Sequence, residues 1–433
     1  MSYNQGTIST DYHDPTIFVE NNRAVFELDG SKEGYLPNMR LINLGCKSSA
    51  PGAYNRLMGA LGVIKNIRLM DGRTELSALR QPREYLGFQE QLRTNSDNKS
   101  SASYEKRNAL GMEIHAANET LKHMYDAPGT DTADSTTSSG YLDLRMVFPI
   151  LNALPVLPTA VFQNLKIEIE FFGGLADGIL QDVSQTPTSV RPILAVDSVE
   201  DPRLLAPLVK ALKERGARWN EIESDRFTMR GRTELAGPPV AGFRQEVKAQ
   251  SMGYIGKRVE RLLLVKSLQD SAEGNNGNDQ MGYANRGSQA LLHQHTQVRL
   301  NGKNVIPGFN GVTKPNERLA IISDEYGPSS AYPGSVFYKW SNGDELVNFN
   351  AVGAALQPVS GKAFGGALSY DCVRIGARVA DLAINISREF DADPGSATTA
   401  PASTNLPLTV HMYAEVDKGM SVAADGSYRI VYA

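Results

Sequence analysis

Two histidines, His293 and His295, stand two positions apart, which on a β-strand puts both imidazoles on one face at a spacing a metal ion can use. The chain has six histidines and two cysteines, and no third ligand lies near this pair in sequence, so polar strand residues beside a loop are the preferred reading. Cys46 and Cys372 show no C-x-x-C spacing; a disulfide framework and a Cys-rich zinc site are excluded, and both read as buried small hydrophobes. Asp11, Asp14, Asp126, Asp131 and Asp134 sit in loop-like sequence without an EF-hand pattern and read as solvated acids rather than calcium ligands. There is no GxSxG elbow, no P-loop and no HExxH. The glycine-rich stretch Gly52–Gly62 lacks the strand-then-helix setting of a dinucleotide site and reads as turns. Arg230-Gly231-Arg232 is a basic turn. Sequons at Asn98, Asn118 and Asn385 follow no secretory leader and are expected to stay unmodified. A glycan-hydrolysing or glycan-binding sandwich would need paired carboxylates and aromatic platforms. Glu168 and Glu170 share a strand face, but their neighbours make it an ordinary wet face, and Trp219 and Trp340 are each isolated. No catalytic, cofactor-binding or metal-binding residue is assigned, no cofactor is expected, and the chain reads as a structural or binding protein rather than an enzyme.

The elements that hold these residues are short and β-rich. The clearest is Asn164–Phe172, where Leu165, Ile167, Ile169 and Phe171 alternate with Lys166, Glu168 and Glu170, one face buried and one wet. Tyr141–Ile150 reads as a second alternating strand. Between them Pro155 and Pro158 forbid a central strand but suit an extended corner. Further strands are expected at Thr16–Val19, Ala24–Leu28, Val63–Leu69, Ile193–Val196, Arg258–Val265, Thr296–Leu300, Leu346–Phe349, Asp381–Ile386, Leu408–Ala414 and Tyr428–Val431. Helical signal is minor: Asp201–Trp219, with Pro near its start and Gly216 near its end, then Pro82–Leu92 and part of Ser100–Tyr125. Asp126–Gly140, Ser271–Ser288 and Asp391–Asn405 read as exposed loops.

Composition narrows the function classes. The 433 residues carry 44 Lys+Arg against 48 Asp+Glu, a formal charge of −4. No Lys or Arg precedes Arg23. Tight direct packaging of nucleic acid, which requires a surplus of cations against phosphate, is not expected. No apolar run approaches the ~18 residues that span a bilayer, and the polar N-terminus has no apolar leader core. The length suits about two or three domains, with a break expected near residues 200–222.

The segment Tyr141–Phe172, YLDLRMVFPILNALPVLPTAVFQNLKIEIEFF, resembles the end of the first roll in double-jelly-roll major capsid proteins of icosahedral DNA viruses, the lineage of PRD1 and adenovirus. Leu144–Ile150, Ala153-Leu154-Pro155, Leu157-Pro158 and Gln163–Glu170 fill the strand, corner and strand of that pattern. Arg191–Val199 suits the last strand of the roll, and Leu36–Leu44 and Val63–Leu79 suit early strands followed by a short helix. At the C-terminus Leu406–Ala414 and Gly426–Tyr432 are similar to the hairpin that closes the second roll. The resemblance covers about half the chain and rests on strand and turn patterns, and a Trp- or Phe-rich corner common in members from large viruses is missing here.

The resemblance implies an all-β chain of two jelly-roll β-sandwiches side by side with few short helices. Residues 1–200 would form the first roll with an N-terminal arm, 201–221 a helical connector and 222–433 the second roll. It implies a major capsid protein that forms homotrimeric, pseudo-hexagonal capsomers of an icosahedral virion. Neighbouring capsomers and penton and minor capsid proteins would be its partners, with strong direct nucleic-acid binding absent and room for an internal membrane beneath the shell. The protein would reside in the virion after assembly inside the host cell, without secretion by a signal peptide. The arm, lacking Lys and Arg, could tie neighbouring capsomers together by strand addition. Two alternatives stay open: a penton or minor capsid protein with one roll and an inserted domain, and the carbohydrate-binding or hydrolytic sandwich considered above.

Overall fold

The computed structural model describes residues 8–44, 46–47, 63–82, 84–86, 140–172, 188–189, 191–229, 244–250, 252–268, 294–305, 320–322, 324–325, 370–389 and 408–432. In chain order the strands up to residue 199 are β1 Ile8–His13, β2 Ile17–Val19, β3 Arg23–Glu27, β4 Gly34–Tyr35, β5 Arg40–Leu44, β6 Cys46–Lys47, β7 Ile64–Asp71, β8 Thr74–Arg80, β9 Gly140–Asp143, β10 Leu157–Pro158, β11 Leu165–Phe171, β12 Thr188–Ser189 and β13 Ile193–Val199. After residue 216 come β14 Ala217–Met229, β15 Arg244–Gln250, β16 Arg258–Leu268, β17 Gln294–Leu300, β18 Lys303–Asn304, β19 Tyr370–Arg378, β20 Leu382–Glu389, β21 Leu408–Val422 and β22 Tyr428–Tyr432. Every pairing among them is antiparallel and stays within one of these two groups.

The two groups share one topology. In the first, β1-β13-β5-β9 faces β3-β11-β7-β8; in the second, β14-β21-β16-β19 faces β15-β20-β17-β18. Numbering the eight principal strands of each group along the chain gives the same orders twice, 1-8-3-6 and 2-7-4-5. That double repetition is two jelly rolls. A single roll with an inserted domain does not fit it. β4 and β10 extend one sheet of the first roll, β2 borders the other, and β22 adds to β21.

Alternation drives the strands. Along β11 the odd positions Leu165, Ile167, Ile169 and Phe171 are buried while Lys166, Glu168 and Glu170 are half-buried. The buried set meets Phe26, Ile67, Leu69, Leu194 and Val196 in the core of the first sandwich. Leu262, Leu264, Val298, Ile384, Ile386, Val410 and Met412 fill that of the second. A fully buried side chain of this kind contributes about 1.5–3 kcal/mol.

Two sequence expectations are corrected. Tyr141–Ile150 is not one strand: β9 stops at Asp143, whose carboxylate caps a 3-10 turn, Leu144–Met146, by accepting from the Arg145 amide. Pro149 then opens the short helix α1, Ile150–Ala153. The apolar residues are buried as expected, but by a compact turn. The expected helix Asp201–Trp219 is α2, Pro202–Arg215, capped at Asp201, and ends where Gly216 takes a φ of +66°. A Cβ at Gly216 would also lie 2.2 Å from the Met420 carbonyl oxygen. The chain therefore turns and enters β14 at Ala217, which places Trp219 and Glu221 on a strand and ends the helical connector before residue 216. The corner behaves as the prolines require, since Leu157–Pro158 pairs only at a sheet edge, with Tyr35 and Gly34. Residues 82 and 84–86 are helical. The rest of Pro82–Leu92 after residue 86, Ser100–Tyr125, Leu346–Phe349, Gly52–Gly62, Arg230–Arg232, Ser271–Ser288 and Asp391–Asn405 lie outside the described residues, as does Asp126–Gly140 up to Gly140. Among the described residues no helix is long and apolar enough to cross a membrane.

Candidate interface between the two sandwiches

Among the described residues, a cluster of buried polar groups lies where the sandwiches meet, between β8 with the turn after it and the β14–β21 pair. Trp219 on β14 stands opposite Lys418 on β21, and Glu221 lies two residues further along the same strand face. The Ser77 hydroxyl on β8 donates to Glu221 Oε1 at 2.7 Å, and Trp219 Nε1 donates to Glu221 Oε2 at 2.7 Å. Lys418 Nζ donates to the Leu76 carbonyl at 3.0 Å, lies 3.6 Å from Glu221 Oε2 and sits 5.8 Å from the centre of the Trp219 ring. Burial pushes the Glu221 carboxyl above the ordinary glutamate range, and Lys418, Ser77 and Trp219 pull it back. Each polar group is thus held by another, as burial demands.

Apolar contacts continue the seam. The outer face of β14-β21-β16-β19 turns Leu263, Val265, Cys372 and Tyr413 into the same cluster as Leu76, Leu79, Tyr85 and Leu86. Tyr413 donates to the Gln81 carbonyl at 2.7 Å and packs on the Tyr85 ring at 5.3 Å. His411 Nε2 lies 3.7 Å from Glu84 Oε1. The terminal hairpin β21–β22 reaches back to the first roll, where Tyr428 donates to Asp71 Oδ2 at 2.9 Å and packs its ring, tilted by 56°, against Phe162 at 5.4 Å. The hairpin therefore does more than close the second roll: it ties the second to the first. At its end Lys257 sits 4.4 Å over the Tyr432 ring, and burial raises the Tyr432 phenol to about 12.

The residues singled out from sequence are scattered. Gln294 opens β17, so His295 lies on a strand while His293 falls outside the described residues. Among the described residues no group of three or more His, Cys, Asp or Glu is placed to hold a metal. Cys372 is buried, as expected of a small hydrophobe. Asp11 lies within β1 rather than in a loop and accepts from Ser198 at 2.7 Å, and Asp14 meets Arg191 at 3.6 Å. Glu168 bridges Arg23 at 2.9 Å and Arg68 at 2.5 Å, while Glu170 pairs with Lys65 at 2.6 Å. These cross-strand pairs neutralise the two carboxylates on the wet sheet face, which is not the arrangement of a catalytic pair. Trp219 is buried in the seam and offers no binding platform. Asn385 stands half-buried in β20.

Two concavities open among the described residues. A groove of 620 Å³ runs along α2, with an apolar floor at Pro158, Leu205 and Val209 and Lys210, Lys213 and Glu214 on its rim. A smaller one of 380 Å³ opens at the seam between Tyr85, Arg145, Asn152, Asn220 and Glu415. There Arg145 is held by Asp143 and Glu415 by Arg261. Neither brings a nucleophile together with a base. The sequence does not single out Glu221, Lys418 and Ser77, because β8, β14 and β21, which bring them together, are more than a hundred residues apart along the chain.

No family model and no curated protein sequence matches the chain. Solved structures do. A chain in the cryo-EM structure of the Sputnik virophage superposes with a TM-score of 0.54 at 14% identity, covering 100% of this chain and 89% of that one. The crystal structure of the mavirus major capsid protein gives 0.54 at 10% identity, covering 100% and 91%. The crystal structure of PBCV-1 VP54, as fitted into a reconstruction of Sputnik, gives 0.50 at 11% identity, covering 100% and 99%. At such identities the shared property is the fold: the described residues form the double jelly roll of those viral capsid proteins.

Proposed function

We propose that this chain is a structural subunit of an icosahedral virion shell, a major capsid protein whose trimer presents six sandwiches as one pseudo-hexagonal tile. The observation that carries the proposal is the exact repetition of strand order in two sandwiches locked by a buried seam, in a chain similar end to end to the mavirus major capsid protein. Two like bodies held rigidly side by side are what a trimer needs to approximate sixfold symmetry. In this reading residues 1–200 and 222–433 are the two rolls, with the second extended back to residue 217, where β14 begins. The role is architectural rather than enzymatic. Partners are two further copies, neighbouring capsomers, and penton and minor capsid proteins at the vertices. A chain with a charge of −4 leaves genome contact to other components.

Mass in solution tests the proposal. Light scattering of the purified full chain is expected to give about 141 kDa, three times 47.1 kDa, and negative-stain images are expected to show hexagonal tiles. A pentamer, or a monomer that cleaves a glycan, would overturn it.

A further inference from the structure

Inside the second sandwich an ion pair interrupts the apolar filling. Leu262 and Leu264 of β16 point into that core while Leu263 and Val265 point out toward the seam, so Lys266 continues the inward series. Asp371 on β19 stands two residues before Val373, and Thr296 on β17 two before Val298, and both valines also face inward. β16 and β19 are paired neighbours with Asp371 opposite Leu264. Lys266, two residues further along β16, is the diagonal neighbour of Asp371, and a lysine stem spans that distance. Thr296 reaches over from the facing sheet. Lys266 Nζ ends 2.7 Å from Asp371 Oδ2 and donates to Thr296 Oγ1 at 3.4 Å. The side chains of Lys266 and Asp371 are 0% and 2% exposed, and Thr296 is fully buried.

We propose that Lys266 and Asp371 join in an isopeptide bond, formed by the chain itself once the second roll has folded. The distance allows it. With a carbon–oxygen length of about 1.23 Å, Nζ at 2.7 Å from Oδ2 is at most about 4 Å from the Asp371 carboxyl carbon, and a small rotation brings the pair to the ~3–3.5 Å of a near-attack contact. Burial favours it, because two charges held out of water are costly and the product is a neutral amide. Passing a proton from the ammonium to the carboxylate leaves an amine and a carboxylic acid. The Nζ lone pair then attacks the carboxyl carbon to give a tetrahedral adduct. The adduct loses one nitrogen proton and one hydroxyl as water, and the C–N bond remains; no oxidant, reductant or second reactant is consumed. The Thr296 hydroxyl is placed to carry the proton between nitrogen and oxygen. Holding both groups in one apolar site is worth an effective concentration on the order of 10⁵–10⁸ M. The buried pair in the seam is arranged differently: Lys418 stays 3.6 Å from Glu221, and Ser77 and Trp219 both donate to that carboxylate and hold it as an acceptor. The bond would staple β16 to β19 and close the long stretch of chain between them, so the second roll could not open fully even when unfolded. It depends on the fold of that roll alone and not on the shell reading.

Intact-mass spectrometry of the purified, denatured full chain tests this. Most of the wild-type protein is expected to be lighter than its sequence by the mass of one water. Digestion with trypsin is expected to leave the bond after Lys266 uncut and to yield one branched peptide that joins the segment holding Lys266 to the segment holding Asp371. Lys266→Arg keeps the positive charge but offers no amine, and its mass is expected to equal that of its sequence. Wild-type protein that folds, as shown by cooperative thermal unfolding, yet has the full mass of its sequence in most molecules carries only an ion pair at this place, and that result would overturn the proposal. So would a loss of water that persists in Lys266→Arg or that maps to other residues. None of these results bears on whether the chain builds a shell, which the mass of the native particle decides separately.

Discussion

Removing the lysine from the seam should unlock the two sandwiches in a pH-dependent way. In Lys418→Met the apolar stem is kept and the ammonium is lost. Lys418 and Glu221 have side-chain exposures of only 7% and 3%, so the change leaves a carboxylate buried beside Ser77 and Trp219 with no cation. Breaking a buried pair in this way costs about 3–5 kcal/mol. At about 2–4 °C per kcal/mol for a unit of this size, the melting temperature should fall by roughly 6–20 °C. Glu221→Gln combined with Lys418→Met removes both charges, and the pair should recover at least half of the loss. The pH dependence has a definite sign. Burial raises the folded-state pKa of Glu221, and loss of Lys418 raises it further, so the folded protein holds this proton longer than the unfolded chain does. Such a group favours folding below the unfolded pKa of about 4.3, and that stability is lost as pH rises from there through the folded pKa. The deficit of Lys418→Met relative to wild type should therefore be larger at pH 8 than at pH 5. Urea unfolding followed by tryptophan emission measures it, since Trp219 touches Glu221 directly. An equal deficit at both pH values, or a double variant no more stable than the single one, would refute the reasoning.

The same logic separates buried from wet positions elsewhere. Ile169→Ala on β11 deletes a fully buried side chain and should cost about 2–5 kcal/mol, whereas Glu168→Gln on the same strand disturbs only partly exposed ion pairs and should change stability by less than about 1 kcal/mol; parallel denaturant titrations make the comparison. Gly216→Ala forces a Cβ to within 2.2 Å of the Met420 carbonyl at a φ of +66°, so the variant should yield little folded protein, measured as soluble expression and thermal unfolding.

What the sequence revealed, and what it concealed, follows from the range of each interaction. The alternation in Leu165–Phe171 is local, and it marks the strand and its buried face without reference to anything else. The extent of β21 was concealed. Leu408–Ala414 alternates clearly, yet the strand runs on to Val422, because Ala217–Glu221 on β14 supply partners for Val416–Met420 across a gap of about two hundred residues. Tyr141–Ile150 misled for the opposite reason. Its apolar residues are buried as the pattern requires, but an aspartate cap and Pro149 decide the local geometry and wind the run into a turn. Trp219 reads as the tail of a helix because the stop signal is Gly216, whose role shows only against the Met420 carbonyl that a Cβ there would strike. The seam, finally, is built of groups that are ordinary singly. A serine, a glutamate, a lysine and a tryptophan become a site only when two sandwiches bring them within about 3–4 Å of one another.

The two rolls have one topology and different obligations, and the sequence differences follow the obligations. Inward positions of the last strand in each roll are interchangeable in kind: Leu194 and Val196 in the first, Val410, Met412 and Ala414 in the second. The outward positions are not. In the second roll they are His411 and Tyr413, which reach Glu84, Gln81 and Tyr85 of the first. In the first they are Ala195 and Asp197, and Asp197 is held by Thr10 of the neighbouring strand and by Asn38 of the connection between β4 and β5. A buried polar contact needs one particular partner, whereas a core position needs only volume and hydrophobicity. The second roll's outer face is therefore specialised for a neighbour inside the chain, and the first roll's outer face keeps its charge satisfied locally while leaving Tyr12 exposed. That division is what a chain requires if its two halves are to be fixed to each other permanently and to other chains only on assembly.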